Sequence, residues 1–375
     1  MSNVLTQLHK VVLAGGGTGG HVTPALALAD AFRAQIPACE VLFIGTPQGM
    51  EATLVPRRGW RIETVPGSRL VGGGALAKIK GLRNLVAGVM AARRILRREK
   101  PSLVIGVGGY ASGAALLAAR LLGIPTAVHE SNAVPGMTNR VLGLLVDRVY
   151  LGFAAARGDF PGDAAIVSGN PVRPEIRLVG GQRQRTYGTN PGERMPRVLV
   201  VGGSQGSEFL NEHVPGLLAA LHELGVQVEV RHQVGKLDGK PVAARYADQG
   251  LTHTVETFID DMASAYAWAD FAITRSGSGT VSELAAAALP ALLVPFPHAA
   301  GDHQAANAKA FAEAGAGVWV RQADWNELRL AQTVKELLTG AGKWQAASRA
   351  ARQMAGRDAA LAVVEDCQEW LGARG

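Results

Sequence analysis

Short continuous runs of apolar residues, each closed by a glycine-rich turn and followed by a stretch of helical spacing, recur along the chain. "VVLAGGGTGG", "EVLFIGT", "SLVIGVGGYASG" and "TAVHESN" set the pattern in the first half; "RVLVVGGSQGS", "VEVRHQVG" and "FAITRSGSG" repeat it in the second. Strands apolar on both faces need cover on both faces, so their alternation with helices predicts parallel sheets flanked by helices, an α/β fold. "VVLAGGGTGGHVTPALALADAF" from Val11 is echoed by "VLVVGGSQGSEFLNEHVPGLLAAL" from Val198, and each opens a new doubly wound sheet. Between them, "GNPVRPEIRLVGGQRQRTYGTNPGERMPR" is rich in Gly, Pro, Gln and Arg and reads as a linker. The expected division is an N-terminal Rossmann-like domain over 1–168, a linker over 169–197 and a C-terminal Rossmann-like domain over 198–375. The last helix is a candidate to pack back on the first domain. Ligands of open parallel sheets lie beyond the carboxyl ends of the strands. Two sheets facing each other across a cleft are therefore expected.

Composition narrows the function classes. A chain of 375 residues with 47% hydrophobic and 18% charged residues suits two ordered domains. Two cysteines, Cys39 and Cys367, make no disulfide framework, and the first residues lack a basic region followed by a long apolar one, so a cytoplasmic protein is expected. No apolar run reaches the roughly 18 residues of a membrane span; the best, Leu284 to Phe296, is broken by Pro290 and Pro295. A net charge of +7 suits nucleic acid, anionic lipid or phosphorylated substrates. Aromatic residues are only 5% and do not interleave with basic clusters, so no nucleic-acid partner is expected.

Gly15, Gly17 and Gly20 satisfy the G-x-G-x-x-G spacing of a dinucleotide fold. That fold also places an acidic residue at the end of the second strand to bind ribose. Here the strand ends "VLFIGTPQG", with Gly45 and Thr46 in that place and Glu40 ahead of the strand. An NAD enzyme is disfavoured. The loop still leads into a helix N-terminus, whose unpaired N–H groups and partial positive charge can hold a phosphate; a tight turn without ligand is the alternative.

The second half carries "TRSGSGTVSELAAAALPALLVPFPHAAGDHQAANAKAFAEAGAG", which resembles the nucleotide-sugar site of GT-B glycosyltransferases. With "GGGTGGHVTPALALA", "GGYASG", "HESNAVPGMTN", "GNPVR" and "GGSQGS" in order, nearly the whole chain resembles the MurG family. The resemblance implies a peripheral enzyme on the cytoplasmic face of the plasma (inner) membrane. It implies inverting transfer of GlcNAc from UDP-GlcNAc to the MurNAc C4 hydroxyl of lipid I, giving lipid II for peptidoglycan. Partners in the cell-wall and division machinery come with it. The enzymatic alternative is another GT-B protein such as a UDP-GlcNAc 2-epimerase, and the non-enzymatic one is a nucleotide-sugar sensor.

The loop from Gly277 enters a helix whose Ser278, Gly279, Thr280, Val281 and Ser282 can offer N–H groups to a diphosphate without a metal. Glu283, expected in its first turn, either caps the helix or accepts from both ribose hydroxyls, as the resemblance implies. By the same resemblance Ile259 contacts uracil through its backbone, Ser204 binds phosphate, Arg173 holds the nucleotide and Gln304 reads GlcNAc hydroxyls. An interdomain salt bridge for Arg173 and a solvated helix position for Gln304 are the alternatives. Thr18, Gly19 and Gly20 are expected near the donor sugar, with Asn132 orienting donor or acceptor groups. On the acceptor side Gly16, Gly17, Gly108, Gly109 and Tyr110 are expected at successive strand ends around a second pyrophosphate. Two bases compete for the acceptor proton. His21 stands at a helix N-terminus, which keeps its imidazole neutral, and Glu130 is its rival; His129 supports the loop. His298, Asp302 and His303 lack zinc-site spacing, Asp260 and Asp261 resemble no strong magnesium site, and no cofactor or metal is expected.

An anionic membrane surface is the remaining expected partner. In "SRLVGGGALAKIKGLRNLVAGVMAARRILRREK", Leu76, Ile79, Leu82, Val86 and Val89 recur at helical spacing among Lys78, Lys80, Arg83, Arg93, Arg94, Arg97 and Arg98. The flexible start can expose Leu70 and Val71 as well, whereas residues from Val86 onward can equally pack on the sheet.

Overall fold

The computed structural model describes residues 8–17, 19–67, 75–162, 164–183, 194–203 and 205–374, with side chains 75–80 and 82 outside the described set. The chain divides into two compact units, 1–173 with 357–375, and 174–356. Each is built on its own parallel sheet.

In the first unit, β1 (Lys10–Ala14), α1 (Gly19–Gln35), β2 (Glu40–Gly45), α2 (Glu51–Arg57), β3 (Arg61–Thr64), α3 (Ala75–Glu99) and β4 (Leu103–Gly106) alternate as the apolar pattern requires. They continue through α4 (Tyr110–Leu121), β5 (Thr126–Glu130), α5 (Met137–Gly143), β6 (Arg148–Leu151) and β7 (Ala165–Val167). The strand order is β3-β2-β1-β4-β5-β6-β7, so the winding reverses between β1 and β4. Successive residues of a strand point to opposite faces. Val11 and Leu13 accordingly join one core with Leu28 and Phe32 of α1, while Val12 and Ala14 join another with Ala92 and Leu96 of α3 and Ala115 of α4.

The second unit starts earlier than the linker expectation allows. Pro174–Gln182 forms a helix, α6, whose Ile176 is fully buried and whose Gly180 lies so close to the Ala286 carbonyl that a Cβ would clash. It is followed by β8 (Arg197–Val201), α7 (Glu208–Glu223), β9 (Glu229–Gln233), α8 (Lys240–Asp248), β10 (Thr252–Glu256), α9 (Met262–Trp268) and β11 (Phe271–Thr274). Next come α10 (Ser278–Ala286), β12 (Ala291–Leu293), α11 (His303–Glu313), β13 (Gly317–Trp319), α12 (Glu327–Thr339) and α13 (Lys343–Ala355). The order β10-β9-β8-β11-β12-β13 reverses between β8 and β11, repeating the plan of the first unit.

The last helix, α14 (Ala359–Gly372), belongs to the first unit. Asp358 caps it by accepting from the N–H groups of Ala360 and Leu361. Val363, Val364, Cys367 and Leu371 then pack into the α1 core, and the buried Tyr150 hydroxyl donates to Asp366 at 2.7 Å.

Candidate active site

At a switch point the loops after neighbouring strands diverge to opposite faces and leave a crevice. In the first unit the glycine loops after β1 and β4 meet there. Gly16 N–H donates to the Gly108 carbonyl at 3.2 Å, and a Cβ on Gly109, at φ 83°, would run into the Gly16 carbonyl. The expected acceptor-side residues Gly16, Gly17, Gly108 and Gly109 are thus neighbours. Tyr110 is not presented with them. Its ring lies where a Gly67 side chain would be, and its hydroxyl is buried toward Gly88 of α3, without a hydrogen bond among the described residues. Burial raises its pKa.

His21 sits in the first turn of α1, after Gly19 and Gly20, and its ring lies over Gly108. Its Nδ1 is 3.1 Å from the Gly16 carbonyl. A carbonyl only accepts, so Nδ1 carries the proton and Nε2 is the basic nitrogen of the neutral ring. Thr18 lies outside the described residues.

Glu130, the rival base, is built differently. It ends β5 at 2% exposure and is held by four donors. Oε1 accepts from Asn132 N at 2.8 Å and Asn132 Nδ2 at 3.1 Å; Oε2 accepts from Gly136 N at 3.1 Å and Asn139 Nδ2 at 2.9 Å. Held in this way, the carboxylate braces its own loop, and Asn132 is part of that brace. His129 is fully buried between the Gly169 carbonyl and Ser131 Oγ, both at 3.3 Å, and desolvation depresses its pKa to about 4. Arg173 closes the first unit, half-buried.

The sequence left out Glu51. At 2% exposure in the first turn of α2, it turns its carboxylate into the first glycine loop and accepts from Gly17 N at 2.7 Å, Thr46 N at 2.8 Å and Thr46 Oγ1 at 3.0 Å. An acidic group therefore does reach the end of β2, but its oxygens serve the protein's own amides.

In the second unit the loop after β11 enters α10 at Ser278, with Gly277 as a cap that makes no side-chain hydrogen bond. Glu283 is the sixth residue of α10, which corrects the first-turn expectation and removes the capping alternative. The Tyr266 hydroxyl donates to its Oε2 at 3.1 Å. Ser278 is buried, Gly279, Thr280 and Ser282 are partly exposed, and Val281 is wholly buried with its N–H on the Gly277 carbonyl at 3.0 Å. Ser276 ties this loop to α11: its hydroxyl donates to the Gln304 carbonyl at 2.8 Å and its own carbonyl accepts from Asn307 at 3.2 Å. The Gln304 side chain is not simply solvated, because Oε1 accepts from Phe296 N at 2.9 Å. Ile259 anchors the loop before α9 at 4% exposure; Ser204 lies outside the described residues.

Arg275 also escaped the sequence reading. It is 9% exposed, donates to the carbonyls of Val294 at 3.2 Å and Pro295 at 3.1 Å, and lies within 6 Å of the Phe209 and Phe296 rings. Desolvation lowers its pKa to about 10, which still leaves it charged at neutral pH beside the α10 loop. Among the described residues no His, Cys, Asp and Glu cluster has the arrangement of a metal site.

The glycosyltransferase family 28 N-terminal domain matches residues 11–151, and the family 28 C-terminal domain matches residues 197–363. The chain belongs to glycosyltransferase family 28. A relative from Methylococcus capsulatus, named UDP-N-acetylglucosamine--N-acetylmuramyl-(pentapeptide) pyrophosphoryl-undecaprenol N-acetylglucosamine transferase, is 44% identical over 97% of this chain and 99% of its own. A Geobacter sulfurreducens protein of the same name is 39% identical over 95% and 97%. The crystal structure of Acinetobacter baumannii MurG superposes with a TM-score of 0.78 at 34% identity, covering 96% of this chain and 99% of that one. A putative UDP-N-acetylglucosamine 2-epimerase from Listeria monocytogenes, at 15% identity and TM-score 0.68 over 97% of both chains, shares the fold alone.

The structure divides the segment expected to meet an anionic membrane surface. Leu70, Val71 and the side chains of Leu76, Lys78, Ile79, Lys80 and Leu82 lie outside the described residues. Val86 is 52% exposed, Val89 packs on the α3–α4 core, and Arg83, Arg93, Arg94, Arg97 and Arg98 are exposed. A second apolar stripe that the sequence reading missed runs along α5 to its C-cap, where Met137, Val141 and the capping Leu144 are each more than half exposed at i, i+4, i+7 spacing.

Proposed function

We propose that this chain transfers GlcNAc from UDP-GlcNAc to the MurNAc C4 hydroxyl of undecaprenyl-pyrophosphoryl-MurNAc-pentapeptide, with inversion. The observation that carries this reading is the near-full-length kinship, at 44% identity, with a protein named for that transfer.

The site supplies the chemistry in separate parts. In the second unit, the N–H groups at the start of α10 and the Arg275 guanidinium favour the diphosphate, and their pull increases as negative charge gathers on departing UDP. Glu283, steadied by Tyr266, accepts from the ribose hydroxyls. In this reading Arg173, Ser204, Ile259 and Gln304 complete the donor contacts together with Thr18, Gly19 and Gly20, and the Gly16–Gly17 and Gly108–Gly109 loops take the acceptor pyrophosphate. The acceptor oxygen bonds to C1 of GlcNAc as the bond from C1 to the phosphate oxygen breaks, and the electron pair leaves with UDP. His21 Nε2 receives the acceptor proton, because Nδ1 is committed to Gly16. This reading requires no metal or cofactor.

The enzyme works at the cytoplasmic face of the membrane without spanning it, alongside the cell-wall and division machinery. The exposed cations of α3 and the apolar stripe of α5 support that placement.

Radiolabelled UDP-GlcNAc and a short-chain lipid I analogue test the reading. Label should enter the lipid, with or without EDTA, and His21→Ala should lower turnover by about 10²–10⁴-fold while leaving UDP affinity nearly unchanged. UDP release or 2-epimer formation without labelled lipid would refute the assignment.

A further inference from the structure

Glu51 is spent on the glycine loop in a way that ordinary helix capping does not explain. A carboxylate in the first turn of a helix normally turns back to that helix's own amides. This one enters a pocket made by absent side chains: a Cβ on Gly16, Gly45 or Gly49 would overlap its carboxylate or stem. Its three donors come from two places, Thr46 at the end of β2 and Gly17 in the loop after β1.

The geometry continues through one peptide group. The Gly17 N–H held by Glu51 Oε2 and the Gly16 C=O that accepts from His21 Nδ1 belong to the same planar unit. In a trans peptide these two groups point in opposite directions, so fixing the N–H fixes the carbonyl. We infer that Glu51 is a positioning residue for the transfer reaction, acting through the Gly16–Gly17 peptide to orient His21 and hold its proton on Nδ1. The carboxylate also polarises that peptide, which makes the Gly16 oxygen a better acceptor. At 2% exposure Glu51 works on the substrate only through this relay. The inference rests on His21 being the base.

Glu51→Gln separates the two ideas. If its amide oxygen stays with Thr46, its NH₂ meets the Gly17 N–H, two donors face each other, and the peptide loses its anchor. Turnover should fall by about 10²-fold, the order expected when catalytic geometry slips by about 1 Å. The acceptor KM and UDP affinity should change little. The decisive measurement is the Glu51→Gln/His21→Ala pair, which should turn over no more slowly than His21→Ala alone. Wild-type turnover in Glu51→Gln, or losses that multiply in the double variant, would overturn the relay while His21→Ala still tests the base. Wild-type turnover in His21→Ala would remove the base and the relay together. If Glu51→Gln does not fold, Thr46→Val removes one of the three donors and leaves the carboxylate in place. It should then lower turnover several-fold in wild type and not at all in His21→Ala, and a loss in both would reject the relay.

Discussion

Replacing Glu130 with alanine distinguishes a brace from a base. The substitution strips the acceptor from four donors, but burial makes them unequal. Gly136 is exposed and Asn132 half-exposed, so water can reach their donors, and each lost bond costs about 0.5–1.5 kcal/mol. Asn139 is 5% exposed, and its amide, left without an acceptor, costs about 1–3 kcal/mol. Together with the space left by the side chain, a destabilisation of about 3–5 kcal/mol follows, the range for removing one partner from a buried charged network. For a unit of this size each kcal/mol lowers the melting temperature by about 2–4 °C, so a fall on the order of 10 °C is expected. Differential scanning calorimetry should place this loss in the transition of the first unit, and UDP titration should leave the second unit's affinity unchanged. Transfer per folded enzyme, measured well below the lowered melting point, should remain within about tenfold of wild type, against the 10²–10⁴-fold loss expected of a missing base. A Glu130→Ala protein of wild-type stability that has lost turnover by more than about 10²-fold would refute the brace and restore Glu130 as the base.

Glu283→Ala should weaken UDP binding in calorimetric titration, with Tyr266→Phe showing a smaller effect in the same direction; unchanged affinity in folded Glu283→Ala protein would take that residue out of the ribose site. Stability should rise with pH between about 4 and 6.5, because buried His129 stays neutral in the folded chain down to about pH 4 whereas the unfolded chain protonates it near 6.5. Buried His232, depressed to about 3, extends the same trend downward, and urea titrations that show no slope across this window would contradict the neutral assignment. Binding to anionic vesicles should weaken with added salt and fall further in a Met137→Ser, Val141→Ser, Leu144→Ser variant. The same variant should keep its activity on a soluble short-chain acceptor, and equal losses on both acceptors would point to damage elsewhere.

Strand and helix alternation, the two switch-point sheets and the glycine loops were legible because they are written locally. A strand apolar on both faces, or a glycine turn entering a helix, carries its signal within about ten residues. His21 beside "GGGTGG" and the α10 loop beside "TRSGSG" could be read the same way. What a side chain meets across the fold is not local. Glu51 and Gly17 lie 34 residues apart and meet because β1 pairs with β2 in a register that brings Ala14 opposite Ile44. The four donors on Glu130 depend on how the turn after β5 folds back, and an acidic residue at a strand end is written alike whether it braces that turn or faces substrate. The start of α10 at Ser278 moved Glu283 beyond the first turn, and the contact with Tyr266 came from the packing of α9. The gaps at Gly16, Gly45 and Gly49 have the same origin. Sequence records that side chains are missing there, and only the tertiary structure shows that the Glu51 carboxylate fills the space.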